Sequence, residues 1–140
     1  IAQWVAGPFT AWIQQRVNAT RAADDIAARL TDLTLTERGL ATALIGFAFE
    51  DMAASARGAP VPGWIAADPT LLRTYTETID RALVPVAQFA AIAYDGCARA
   101  FTQADEAAWN EWAPFCGGHL EDLREVFGRY ARREEPATAP

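Results

Sequence analysis

Few residues in this chain could do chemistry. Its single histidine, His119, stands three residues after Cys116, across Gly117-Gly118. That spacing suits two metal ligands, with Glu121 or Asp122 adding oxygen, and it equally suits a thiol beside its base. Neither pattern is complete. A closed zinc site needs four ligands, and di-iron bundles place a glutamate three residues before each histidine, where this chain has Cys116. A Cys–His nucleophile pair needs an orienting group and an oxyanion site as well. The only serine, Ser55, lies in Ala-Ala-Ser-Ala without a nucleophile elbow. No catalytic residue, no metal and no cofactor is assigned, and the Cys-x-x-Cys-His heme attachment motif is absent.

Three further groups stand out. Asp51 continues a helical side carrying Leu40, Leu44 and Phe47, and Glu50 continues one carrying Gly39, Ala43 and Gly46. One of the two acids facing inward would need a partner such as an arginine or Tyr94 and would mark a pocket. The plainer reading is that the apolar stretch ends there and both acids meet solvent. Cys97 and Cys116 stand 19 residues apart, as either a bridge or two free buried thiols. Each borders a glycine, and a short helix between them can fold back, which favours proximity. Trp109, Trp112 and Phe115 form the densest aromatic cluster, with Glu106 and Glu111 on the outer side. Such a cluster is either a lid over the core or a partner-binding patch.

These residues need helices to hold them. Apolar or small residues from Leu71 to Phe101 recur at steps of three and four behind an Asp68-Pro69 start, which predicts a central helix over 68–103. Pro85 preserves the phase of the pattern and predicts a kink or a break into two helices. Phe9, Trp12, Ile13, Val17, Thr20, Ala23, Ile26, Leu30 and Leu33 give an amphipathic helix over about 8–32, set off by Gly7-Pro8. A second helix begins either at a Thr34–Glu37 capping box or with Thr36 as cap and Leu35 stapled onto Leu40, and ends near Arg57, with Gly58 as a left-handed stop. Gly39 and Gly46 on its side would permit close approach of another helix. Residues 58–67 form a connection pinned by Trp64 and Ile65. A short helix over 104–113 stops at Pro114, and a last helix runs over 119–132. Nothing alternates as a strand would. The fold is all-α: an antiparallel bundle of four main helices, the central one kinked at Pro85, plus one short helix. One domain covers 1–135, and 136–140 is a disordered tail.

Composition narrows the function. The chain has 140 residues, 51% of them hydrophobic, which is ample for a core. It carries 31 Ala and 12 Arg but no Lys, as GC-rich coding would give. The net charge of −6 and the lack of a basic stripe argue against nucleic acid and against an anionic membrane surface. No segment is long and apolar enough to span a bilayer. The chain starts at Ile1, which fits a processed secreted product or an excised domain. Asn18-Ala19-Thr20 matches a glycosylation acceptor but falls inside a predicted helix, and is set aside. The first reading of function is a non-catalytic helical subunit or interaction domain, meeting a protein partner or a second copy through exposed aromatics. The alternative is a binding domain for an apolar small molecule between the second and central helices. An enzyme ranks third.

Overall fold

The structure, a computed structural model, describes residues 1–104 and 106–131. Four main helices make the body: α1 (Thr10–Arg29), α2 (Leu35–Arg57), α3 (Pro69–Ala104) and α4 (Trp112–Ala131). No strand occurs among the described residues. Short helical turns lie at Ala2–Trp4, Gly63–Ala66 and Ala107–Trp109.

α3 is the axis. It starts where the aspartate cap places it: Asp68 Oδ1 accepts from the backbone N–H groups of Thr70 at 2.8 Å and Leu71 at 3.2 Å. Its 36 residues then run unbroken through Pro85, so the expected break into two helices does not occur. The proline ring forfeits one backbone bond, and the neighbouring buried residues Leu83, Val84, Val86 and Ala87 hold the turn in place.

α2 runs antiparallel to α3, since Gly39 meets Phe101, Gly46 meets Tyr94, Phe49 stacks on Phe89 and Arg57 meets Asp80. α4 also runs antiparallel to α3, through Cys97–Cys116 and Tyr130–Asp80. α1 joins through its first half, where Ile13 and Val17 are buried, with Phe9 buried just before it. Its apolar stripe outruns the body, and Ile26 and Leu30 remain exposed.

The α2 capping box forms in both directions: Thr34 Oγ1 accepts from the Glu37 N–H, and Glu37 accepts from the Thr34 N–H. Gly58 closes α2 in a right-handed conformation, φ −80°, not the left-handed one its type suggested. Its N–H bonds to the Ala54 carbonyl at 2.8 Å, which simply continues the helical pattern one residue further.

Punctuation misled the reading at both ends of the chain. Gly7-Pro8 does not separate the first helix from what precedes it. A π-helical turn over Val5–Phe9 carries the chain through, its wider ring accommodating the missing proline N–H. Pro114 does not stop a helix either, because it lies in the first turn of α4, where no backbone N–H has an intrahelical partner. The short helix expected over 104–113 shrinks to one 3₁₀ turn, and α4 runs through Gly117-Gly118. His119 therefore sits inside a helix and not at its start. The connection after α2 is pinned by Ile65 alone, while Trp64 is 64% exposed. The tail expected over 136–140 lies outside the described residues.

Candidate functional site

Once α4 starts at Trp112, the residues Trp112, Phe115 and His119 fall at steps of three and four on one face. They build a ladder of rings across the bundle. Phe101 stands at one end, with centroids 6.0 Å from Trp109 and 5.5 Å from Trp112. Trp112 meets Phe115 edge-on at 5.6 Å, and Phe115 meets His119 at 4.6 Å. His119 stacks on Tyr94 at 4.9 Å, with the planes only 18° apart. Phe47 of α2 closes the far side, 5.4 to 5.8 Å from His119, Phe115 and Tyr94.

The two helix glycines create the room for this ladder. A Cβ on Gly39 would lie 2.7 Å from Phe101 Cε2, and one on Gly46 would lie 2.9 Å from Tyr94 Cε1. The space beside both glycines is thus occupied by rings, not by a neighbouring helix backbone and not by a void. The apolar crevice beside Pro85, about 290 Å³, lies between α1 and α3 instead, lined by Phe9, Ile13 and Phe89 among others.

The ladder ends on a carboxylate. Of the two adjacent acids, Glu50 turns inward and Asp51 stays exposed. Tyr94 donates its hydroxyl proton to Glu50 Oε2 at 2.5 Å. His119 Nδ1 lies 2.8 Å from the same oxygen without the alignment of a hydrogen bond, and this buried nitrogen has no other partner. Burial first, then the hydrogen bond and charge of Glu50, push the Tyr94 phenol far above its ordinary range. It remains a proton donor at every physiological pH.

The sulfurs are spent. Cys97 and Cys116 form a disulfide with Cα atoms 6.1 Å apart, tying α3 to α4 beside the ladder. The bridge leaves Cys116 without the thiol that a metal ligand or a nucleophile beside His119 would need. A carboxylate, an imidazole and a phenol could still exchange protons, but the bridged sulfurs supply the cluster with no nucleophile. No group of three metal-ligating side chains occurs among the described residues.

Of the three aromatic candidates, Trp109 and Trp112 are half-buried against the core, and Phe115 is 41% exposed. Leu44, one turn before Phe47 on α2, is 68% exposed. The outer edge of the ladder is therefore open at Phe115, backed by rings that are themselves packed.

No family model, no curated protein and no solved structure matches the chain.

A second polar cluster escaped the sequence reading. Asp80 of α3 is fully buried; Arg57 Nε contacts it at 2.8 Å, the Tyr130 hydroxyl at 3.2 Å and Arg129 at 3.6 Å. Arg57 also lies over the Phe127 ring at 5.7 Å. Burial, and behind it the Asp80 charge, raise the Tyr130 phenol. The signal was present: Asp80 shares a helical side with Val84, Ala87 and Ala91. Its partners come from α2 and α4, so the cluster joins three helices at the end of the bundle opposite the ladder.

Proposed function

We propose that this chain is a non-catalytic helical interaction domain that meets a protein partner, or a second copy, through the outer edge of its aromatic ladder. The observation that carries this reading is Phe115. It is exposed although every ring it touches is packed, and Leu44, one turn before Phe47 on α2, is exposed as well. Rings already fixed by their neighbours lose little freedom on docking, so their apolar area converts efficiently into affinity. Glu50, Tyr94 and His119 serve in this reading as the polar footing that orients Phe47 and Phe115. The disulfide is consistent with an extracellular protein, and no described helix is long and apolar enough to cross a membrane.

The test is the double variant Phe115→Ala, Leu44→Ala. Self-association is followed by sedimentation velocity and partner capture by co-purification. The expected result is binding weakened by at least about 1 kcal/mol with little loss of thermal stability, since both side chains reach solvent. Association identical to that of the unaltered chain contradicts the reading.

A further inference from the structure

On α1, the lining of the crevice beside Pro85 extends from Thr10 to Arg21, a length of about 16 Å at the rise of an α-helix. Its walls are hydrocarbon: Ile13 and Val17 on the α1 side, Val86 and the half-buried Phe89 on the α3 side. Pro85 belongs to the α3 wall and is exposed, although proline is the most costly residue a helix interior can carry. Burial does not offset that cost, so the core gives no reason for a proline here. The end of the lining at Arg21 is charged. The guanidinium carbon stands 5.2 Å from the centre of the Phe89 ring, a cation–π contact that sets it against the wall. No carboxylate comes within ion-pair distance of Arg21 among the described residues. Asp24, one turn on, lines the separate groove between α1 and α2. The crevice thus carries one positive charge and no negative one.

The lining decides what could enter. A plain hydrocarbon would leave the guanidinium without a partner, and an inorganic anion would make no use of the apolar walls. A cation would meet Arg21 at close range. A sugar or nucleotide needs many hydrogen-bonding groups, and the neutral polar side chains of the lining already donate within the chain, Thr10 to the Val5 carbonyl and Gln14 to Asn18. The ligand that uses both parts of the crevice is an amphiphile with one anionic head and a hydrocarbon tail. The volume of about 290 Å³ stands at the small end of ligand pockets and limits the tail to medium length.

We propose that this crevice binds a free medium-chain carboxylate, with its head on Arg21 and its tail along Ile13, Val17 and Val86. The site is built from α1 and α3, whereas the Phe115 surface belongs to α4, so neither reading depends on the other. The test titrates the intact chain with hexanoate, octanoate and decanoate below micelle-forming concentrations, and with decanol as the neutral counterpart of decanoate, by calorimetry and ligand-observed NMR. Affinity should rise about two- to fourfold for each added methylene, as expected for moving it from water to an apolar wall. Arg21→Gln should weaken decanoate binding by about tenfold or more and leave decanol unchanged, because it removes only a charged hydrogen bond. Arg16→Gln alters an exposed arginine outside the lining and should change neither. Ala82→Leu adds bulk to the wall and should weaken both ligands. Arg21 and Arg16 both reach solvent, so their variants should keep the circular dichroism of the parent and decide the matter even where Ala82→Leu does not fold. Vesicles of phosphatidylglycerol separate a free carboxylate from the acyl chain of a membrane lipid. Absence of decanoate binding, affinity independent of chain length, equal losses in Arg21→Gln and Arg16→Gln, or capture of vesicles without binding of decanoate overturns the proposal.

Discussion

At the scale of single residues, the ladder depends on two missing methyl groups, those of Gly39 and Gly46. Gly46 and Gly118 both lie inside helices, where glycine ordinarily costs about 1 kcal/mol relative to alanine. Gly46→Ala would drive a Cβ into the fully buried Tyr94 ring, which has nowhere to swing, and should lower stability by about 1–3 kcal/mol. Gly118→Ala meets nothing within 4 Å and should raise stability by about 0.5–1 kcal/mol. Urea unfolding of the two variants checks the opposite signs. Tyr94 itself makes the fold sensitive to alkali. Its phenol titrates above the unfolded value of 10.0, so from about pH 10 upward the native state holds a proton that the unfolded chain has lost. Stability is full below that pH and falls above it, by up to about 1.4 kcal/mol per pH unit for each such phenol. Tyr94→Phe should flatten this slope without abolishing it, because Tyr130 is raised as well. Part of this chemistry was legible beforehand. The spacing left room for Glu50 or Asp51 to face inward with an arginine or Tyr94 as its partner, although emergence of both acids into solvent was the plainer expectation. The place of His119 was not legible, because Pro114 and two glycines read as a helix stop and hid its register with Phe115.

Among the elements, legibility followed how local the deciding interaction was. The Thr34 cap, the Asp68 cap and the period of α3 are settled within one or two turns of chain, and the sequence carries them plainly. The lengths of α1 and α4 are settled by context. Proline tolerates a first turn or a π-helical turn as readily as it ends a helix, and only the surrounding packing selects between them. The stripe on α1 reads as core to Leu33, yet only Ile13 and Val17 of α1 are buried, and no local signal records how closely a neighbour packs. The α3–α4 pair adds a covalent tie. Replacing Cys97 and Cys116 together with alanine should cost about 3 kcal/mol, the order expected for a loop of this length. Denaturant unfolding of the double variant measures the loss. Far-UV circular dichroism should show the helices retained, because ring stacking and the Asp80 cluster still join α3 to α4.

For the molecule as a whole, the two ends are built differently. One end is closed by a buried carboxylate shared among Arg57, Arg129 and Tyr130; the other is closed by rings and left open at Phe115. If that opening is the docking surface, it should be the place where solvent is excluded on association. Hydroxyl-radical footprinting, read residue by residue by mass spectrometry, tests this directly when the dilute chain is compared with the chain in its native assembly. Phe115 and Leu44 should label readily in the dilute chain and become protected in the assembly, while Trp109 and Trp112 label slowly in both and Trp64 stays reactive throughout. Protection that appears elsewhere on the molecule while Phe115 and Leu44 remain as reactive as before would contradict the assignment of this surface as the docking site.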